Sequence, residues 1–530
     1  MSQIHEPLQL SEVSVGARGF GTGHLVALVA VYAGLVLAFG STRRYLGYGT
    51  ETDFIGGFIP DAQRFLSGEP LLSQFHPPLY SIMVGSVYSL VGDWLQAGLA
   101  VSWIFGIASL FLTYFLFRRL CDRPAAWGAV LALLGSGVFL RYSLQASSDI
   151  FFLALFMGSC LLVLEALRAR STPLWGACGV AIGLALLTRA NGVALLMLLL
   201  APFADRATAI KARAVHGLSL LGGITVPVFA LAAYAAATGS SVLPSEGHLN
   251  LAMTYFAEGE DRLTGDARAQ IDGRFDGVLD VVLHDPAVMA RTYVADLYTL
   301  LSRDLTTLVE SPLYFLFLPG LFFLVGRNAT PVFWVLFLAV AAQILLINFK
   351  AFEGRFYLFL VPWLGAAIGQ MCWTVVRAEW SPRVRTTFAS VLAAGFLAAV
   401  GVAVAKTYLY THENTRELAE AVPVARQEVG EGATILARKP HLGFYTGAAS
   451  LTLPNLDDLA GLRDYVQSHP TPGPLYVFYG EEERARRPQY AELAEGPPPA
   501  WLHAVARSRQ PGAWVLFRYS GGVPAVDDRS

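Results

Sequence analysis

The chain has few charges, few cysteines and no excess of basic residues. Only 15% of its 530 residues are charged, whereas an average soluble protein has about 25%. Nucleic-acid binding requires clustered Lys and Arg to neutralise phosphates, and a formal net charge of −2 argues against such a partner. The four cysteines have neither metal-ligand nor redox spacing. Zinc-protease, paired Cys-x-x-Cys and EF-hand motifs are also missing, so the sequence has no strong metal signature.

Apolar residues make up 54% of the chain and are gathered in long runs. A helix needs about 20 apolar residues to cross a bilayer, so the runs predict an α-helical polytopic membrane protein with about eleven transmembrane helices. The N-terminus has no signal-peptide pattern, and we expect the first run to remain as an anchor. LLTRANG interrupts 173–205, which fits two short helices or one broken helix. The runs are 23–40, 96–117, 124–141, 148–167, 173–188, 191–205, 216–237, 312–326, 331–349, 356–376 and 387–408.

Lys and Arg mark the cytoplasmic loops of membrane proteins. Here they fall at alternate connections, at 118–123, 168–170, 205–214, 327 and 376–385. This pattern predicts a cytoplasmic N-terminal segment at 1–22, a transmembrane domain at 23–408, and exoplasmic loops at 41–95 and 238–311. We therefore expect a multi-pass protein of the plasma membrane, which in a bacterium is the inner membrane.

The composition after residue 409 is that of a small soluble domain. Candidate strands at 433–439, 450–454, 474–479 and 513–519 alternate with helical patterns at 414–429, 456–468 and 481–493. Strands separated by helices are typical of an α/β unit. We predict a soluble exoplasmic α/β domain over 409–520, followed by a disordered tail at 521–530.

The first exoplasmic loop has the densest polar chemistry of the chain, in TETDFIGGFIPDAQRFLSGEPLLSQFHPPLY at 50–80. Asp53, Asp61 and His76 are its candidate functional residues. In PDAQRFLSG, apolar residues recur at helical spacing and Gly68 is placed as a C-cap, which predicts a short amphipathic helix on the membrane surface. The pattern alone leaves a solvated surface helix and a functional loop equally open.

Three further charged residues are predicted at the same outer face. Asp149 in QASSDIFF either lies in the first turn of a helix capped by a serine or has a function of its own. Arg189 in LLTRANG and Arg355 in KAFEGRFY either extend to the interface or bind an anionic head group. Arginine suits the second role, since its planar fork makes paired hydrogen bonds to phosphate oxygens.

These motifs occur in a recognisable order: Asp53, FLSG ending at Gly68, HPPLY, a Ser-Asp pair at Asp149, LTRANG, and GRFYLFLVP. In that order and spacing the chain resembles the GT-C superfamily of membrane glycosyltransferases, and within it the group of protein O-mannosyltransferases and the bacterial lipid A aminoarabinose transferase. The resemblance covers about residues 20–380. It implies a GT-C-like transmembrane domain, and many bacterial members of this group also end in a soluble exoplasmic domain.

The resemblance also implies an activity: transfer of a hexosyl or pentosyl group from a polyprenyl-phosphate donor, within the membrane lipid, to a lipid, glycan or protein acceptor. Asp53 stands where the family has the aspartate that activates the acceptor hydroxyl, and Asp149 where it has a second functional acid. Arg355 stands where a basic residue holds the carrier phosphate. An exposed aspartate is ionised at neutral pH and can accept a proton, and cations stabilise charge on a departing phosphate.

The chain departs from its relatives at two first-loop positions. Phe54 follows Asp53 where many relatives have an acidic residue, which removes one ligand for a metal; a divalent cation is left open as a cofactor and none is assigned. His76 stands where some relatives have a lysine. A histidine can still bond to phosphate, although its charge depends on its surroundings, so His76 and Arg189 join Arg355 as predicted donor-phosphate ligands.

Asp61 competes with Asp53 for the catalytic role. It begins the predicted surface helix, where a carboxylate is favoured as a cap, so we assign the chemistry to Asp53 and a helix start to Asp61. In the loop 238–311, Glu246 and His248 are candidates for an acceptor site, although most charges there fit a solvated face.

Two other classes of function remain open. Transporters and flippases have broken helices and buried ionisable residues, and LLTRANG fits such a break, so a multi-span transporter of a lipid-linked or anionic substrate is the alternative. The polar residues of a transporter would lie near the middle of the membrane, whereas the polar residues of this chain are predicted at one face of it. A structural protein whose soluble tail is the working part would have a transmembrane part without a cavity.

Overall fold

The computed structural model describes residues 21–521 except 43–47, 49–51, 73–75, 241–246, 258–270, 272, 309–315, 350–352, 413–414 and 511. The predicted N-terminal segment and tail therefore lie almost wholly outside the described residues. The chain divides into two compact units, here called the helical unit (Met1–Ser41 with Asp61–Tyr408) and the C-terminal unit (Thr42–Pro60 with Leu409–Ser530).

The described chain up to residue 412 is built of α-helices. They are α1 Thr22–Thr42, α2 Ile59–Ser67, α3 Leu79–Val91, α4 Trp94–Leu120, α5 Arg123–Leu134, α6 Gly137–Ser143, α7 Ser148–Ala169, α8 Thr172–Thr188, α9 Ala201–Ala204, α10 Ile210–Thr238, α11 Gly247–Phe256, α12 Val278–His284, α13 Pro286–Ser302, α14 Phe317–Asn328, α15 Pro331–Ile347, α16 Val361–Arg377 and α17 Pro382–His412. Capping residues explain several starts: Asp93 accepts from the amide of Gln96 at 2.8 Å, and Thr330 accepts from the amide of Phe333 at 3.2 Å.

Among the described residues, six segments are long and apolar enough to cross a membrane, and a pair of helices bent by 63° would make a seventh. The six are Thr22–Thr42, Trp94–Leu120, Ser148–Ala169, Ile210–Thr238, Gly354–Arg377 and Pro382–Glu428. Shorter apolar helices occupy three other predicted runs, at Thr172–Thr188, Ala190–Ala204 and Pro331–Ile347, and a fourth, Leu79–Val91, lies outside the predicted runs. The helical, apolar architecture agrees with the predicted class, while the number of eleven spans stays a prediction.

Glycines allow two pairs of helices to pack backbone to backbone. A side-chain carbon added at Gly179 of α8 would collide with the carbonyl of Leu220 on α10, and one added at Gly365 of α16 would collide with the carbonyl of Gly128 on α5. Small residues at helix contacts are the usual route to close packing in a bilayer, because apolar side chains gain little there over lipid.

Two apolar segments contain 3₁₀ helices in place of regular α-helix. After α8 the chain is extended at Arg189 and continues as a 3₁₀ helix over Ala190–Leu200 before α9. A second 3₁₀ helix, Gly354–Leu360, leads into α16. Runs of this length are uncommon and often mark functional positions. The interruption predicted at LLTRANG is therefore present, as the extended residue Arg189 between two short helical segments.

The predicted surface helix is present as α2. Ala62 on its apolar face is fully buried. Gly68 has a φ of +69°, and its amide donates to the carbonyl of Phe65 at 3.2 Å, as a C-terminal glycine does.

The elements of the C-terminal unit are α18 Arg416–Glu428, β1 Thr434–Ala437, α19 His441–Thr446, β2 Ala449–Thr452, α20 Leu459–Ser468, β3 Leu475–Tyr479, α21 Glu481–Arg486, α22 Glu492–Glu495, β4 Leu502–Arg507 and β5 Val515–Tyr519. The strands form a five-stranded mixed sheet in the order β2-β1-β3-β5-β4. β1 pairs in parallel with β2 and β3, whereas β5 is antiparallel to β3 and β4. The prediction of an α/β domain is right, although it missed β4.

Candidate active site

Asp149 is held at the start of α7. Ser147 is the N-cap: its Oγ accepts from the amide of Asp149 at 3.2 Å and donates to Oδ2 of the same residue at 2.6 Å. The Asp149 side chain is only 3% exposed. The predicted capping arrangement is therefore present, and it orients a buried carboxylate.

Arg189, at the interruption between α8 and the 3₁₀ helix, supplies the counter-charge to Asp149. Its Nη1 donates to Oδ1 of Asp149 at 2.6 Å and to Oγ of Ser148 at 3.1 Å. The extended backbone at Arg189, between α8 and the 3₁₀ helix, lets the side chain turn to α7. Both carboxylate oxygens of Asp149 are thus bonded, Oδ1 to Arg189 and Oδ2 to Ser147.

Phe356 joins Arg189 to Arg355. The Cζ atoms of the two arginines lie 5.1 Å and 5.0 Å from the centroid of its ring, within range for cation–π attraction. Arg355 and Phe356 are neighbours in the second 3₁₀ helix, and Nε of Arg355 lies 2.5 Å from a carboxylate oxygen of Glu353. Three of the predicted site residues, Asp149, Arg189 and Arg355, therefore meet in one place.

Tyr142 and Arg141 were not predicted as site residues. Cζ of Arg355 lies 5.8 Å from the ring of Tyr142, and Cζ of Arg141 lies 5.6 Å from the same ring. Both residues belong to the short helix α6. A charge at position 141, at the end of an apolar run and before the Ser-Asp pair, was the available signal. Phe356 likewise lies inside the GRFY motif, but was not assigned a role.

The arrangement offers cations beside aromatic faces. Arg189 and Arg355 are 15% and 16% exposed, so they are largely desolvated and only partly open. Guanidinium groups in such positions bind phosphate with short, charge-assisted hydrogen bonds, and a low dielectric strengthens the attraction. The cluster is thus chemically suited to an anionic group carried by an apolar molecule.

Asp53 belongs to the C-terminal unit, unlike the arginine cluster. It is exposed and directly precedes a π-helical turn, Phe54–Phe58, whose Phe54 is fully buried. Turns of this type are frequent at functional sites. The aspartate is thus presented to solvent on an anchored segment.

Asp61 lies in the first turn of α2, as predicted. Its Oδ1 accepts from the amide of Leu72 at 2.7 Å, and the residue is only 7% exposed. The carboxylate thus ties α2 to the chain that follows Gly68. His76 is half-buried in the turn that precedes α3.

The two acceptor-loop candidates differ in outcome. Glu246 lies outside the described residues. Nε2 of His248, on α11, lies 3.0 Å from the carbonyl of Phe275, which gives the imidazole a structural partner. Within the described ranges, no three His, Cys, Asp or Glu side chains are grouped so that they could hold a metal ion.

Comparison with known families gives one match, to the family described as dolichyl-phosphate-mannose-protein mannosyltransferase, over residues 75–231. His76, Asp149 and Arg189 lie in the matched part, whereas Asp53 and Arg355 lie outside it. No curated protein sequence gives a significant match.

Solved structures resemble the chain over nearly its whole length. ArnT from Cupriavidus metallidurans in the apo state is 16% identical, with a TM-score of 0.53 over 94% of this chain and 98% of that one. The same protein bound to undecaprenyl phosphate gives a TM-score of 0.51. The archaeal oligosaccharyltransferase AglB from Archaeoglobus fulgidus, in complex with an inhibitory peptide and a dolichol-phosphate, is 12% identical, with a TM-score of 0.57 over 95% of this chain and 75% of that one. The chain is therefore a membrane protein with the fold of the GT-C superfamily of glycosyltransferases.

Proposed function

We propose that this protein transfers a sugar from a polyprenyl-phosphate donor to an acceptor hydroxyl at the exoplasmic face of the membrane. The observation that carries the proposal is the pair of arginines beside the ring of Phe356, one of them paired with a buried carboxylate. Two structures of this fold, one with undecaprenyl phosphate and one with a dolichol-phosphate, support a lipid phosphate as the ligand.

In the proposed reaction the acceptor oxygen attacks the anomeric carbon of the sugar while Asp53 takes the hydroxyl proton. The bond between that carbon and the phosphate oxygen breaks, and the electron pair stays on the phosphate. Arg189 and Arg355 stabilise the negative charge that develops there. His76 is proposed as a further phosphate ligand.

Asp149 has a different role in this proposal from the catalytic one suggested by its sequence position. One of its oxygens accepts from Arg189 and the other from Ser147, and the side chain is buried. We assign it to positioning Arg189. A charged pair of this kind holds the guanidinium in one rotamer, which lowers the entropy lost when phosphate binds.

The test is sugar transfer by purified protein in lipid vesicles, using labelled polyprenyl-phosphate sugars and a membrane extract as acceptor. Asp53→Asn should abolish transfer, whereas Asp464→Asn, which changes an exposed carboxylate of the same unit, should not. Arg355→Gln should weaken binding of undecaprenyl phosphate. Unchanged turnover in Asp53→Asn would remove that residue as the base.

Transport is the second candidate function, because the chain between α8 and the 3₁₀ helix is interrupted at Arg189. The same vesicles distinguish the two functions. A transporter would move the labelled lipid between leaflets without forming a glycosylated product. Movement without product would refute the glycosyltransferase proposal.

A further inference from the structure

The segment that carries Asp53 is packed as part of the C-terminal unit. Residues Thr42–Pro60 form one compact unit with Leu409–Ser530, although more than three hundred residues separate them in sequence. The segment reaches into this unit through Tyr48, whose side chain packs against the hydrophobic core on one face of the sheet.

Tyr48 is contacted from several elements of the C-terminal unit. Its amide donates to Oγ1 of Thr415 at 3.3 Å, and the carboxylate of Glu417 lies near its hydroxyl. Nζ of Lys439 lies 4.7 Å from its ring centroid. The ring of His441 meets it edge to face at 5.1 Å and 83°. We call these four residues the Tyr48 clamp.

The clamp is itself fixed to the carboxyl ends of the parallel strands. Lys439 follows β1 and lies 3.5 Å from Glu482, which follows β3. Glu417 is 2% exposed, and its Oε2 accepts from the amide of Glu481 at 2.5 Å. β1 lies between β2 and β3, so its carboxyl end is the switch point where sheets of this kind bind ligands. Here a tyrosine of the same chain approaches that edge.

The same segment meets the Leu409–Ser530 part of the unit, here called the C-terminal domain, at two other places. Thr42 Oγ1 lies 3.0 Å from Nε2 of His412. Gly56 approaches Pro440, the residue between Lys439 and His441, closely enough that an added side-chain carbon would lie 4.0 Å from Cγ of Pro440. Asp53 thus lies in sequence between Tyr48, which contacts the C-terminal domain, and Gly56, which approaches it.

We infer that the C-terminal domain positions the segment Thr42–Pro60, which carries the proposed base Asp53. Tyr48 is the positioning residue that fixes the location of Asp53. The inference rests on the proposed function, and it gives the domain a part in the chemical step. Displacing a general base by about 1 Å can lower a rate about a hundredfold. Binding of the donor lipid through Arg189 and Arg355, which belong to the other unit, should not depend on the clamp.

The test compares Tyr48→Ala with Tyr465→Ala. Tyr465 stacks on His469 at 4.1 Å and is a matched tyrosine–histidine pair elsewhere in the domain. We expect kcat to fall about a hundredfold in Tyr48→Ala, with unchanged binding of undecaprenyl phosphate, and to stay near wild type in Tyr465→Ala. For Tyr48→Phe, which keeps the ring and loses only the hydroxyl, we expect a kcat between these two values.

A covalent link tests the geometry directly. In the Tyr48→Ala protein, Gly56→Cys and Pro440→Cys joined by a short bismaleimide should restore most of kcat, with the Tyr48→Ala parent treated alike as control. A full kcat in Tyr48→Ala, or no recovery in linked protein, overturns the inference. Failure of the proposed function would look different, because wild type would then form no glycosylated product at all.

Discussion

Glu483 should make the stability of the C-terminal unit fall as pH rises. It is 1% exposed. Its Oε2 accepts from the amide of Gly480 at 3.1 Å, and its Oε1 accepts from the amide of Arg438 at 3.3 Å. Burial, followed by the nearby charge of Glu417, raises the pKa of Glu483 from 4.5 to about 7.

The sign and size follow from proton linkage. Because the folded pKa lies above the unfolded one, the folded state binds more protons between these values, and stability must fall as pH rises through that range. A rise from 4.5 to about 7 corresponds to about 3 kcal/mol, since one pKa unit is worth about 1.4 kcal/mol. The loss begins near the unfolded pKa and is complete just above the folded one.

The assay compares wild type with Glu483→Gln at matched pH, by pulsed hydrogen exchange of β1 and β3 peptides of the intact protein across a urea series. The glutamine loses one backbone hydrogen bond at every pH, at a cost of about 1 kcal/mol, but it does not titrate. The stability difference between the two proteins should therefore shift by about 3 kcal/mol toward the variant between about pH 4.5 and about pH 8. A constant difference would refute the reasoning.

Two further predictions concern the helical unit. Asp149→Asn and Arg189→Gln each break the buried Arg189–Asp149 pair, and each should lower stability in detergent by about 3 kcal/mol, because a buried charge loses its partner. The double variant should lose less stability than the two single variants added together. Arg119→Gln, which breaks the more exposed pair with Glu165, should cost less than about 1 kcal/mol, and equal costs would contradict the burial argument. Gly179→Ala should destabilise by about 1 to 3 kcal/mol, because the added carbon meets a backbone carbonyl of α10. Gly222→Ala, whose added carbon meets nothing within 4 Å, is its control in thermal unfolding and should be neutral or slightly stabilising.

Local patterns were enough to predict the elements. The surface helix α2 and its terminal Gly68 follow from apolar spacing and one glycine, because both signals act within a few residues. β4 was missed because LHAVAR has a weak alternation, and only Leu502 in it is fully buried.

Long-range contacts were not predictable from the sequence. The bond between Tyr48 and Thr415 joins residues 367 positions apart, and neither residue has an unusual local pattern. The arginine cluster was only partly predicted. A charge in an apolar run signals a functional candidate, which identified Arg189 and Arg355, but nothing local indicates that both lie against Phe356.

The charges around Phe356 and Tyr142 indicate which stage of the proposed reaction the site favours. Arg189 and Arg355 both lie beside Phe356, and they are paired with Asp149 and Glu353. A polyprenyl-phosphate sugar is a phosphodiester with one negative charge, and its phosphate gains a second as the bond to the sugar breaks. Because only interactions that strengthen toward the transition state accelerate a reaction, the two guanidinium groups speed the proposed reaction by attracting the departing lipid phosphate more strongly than the intact donor.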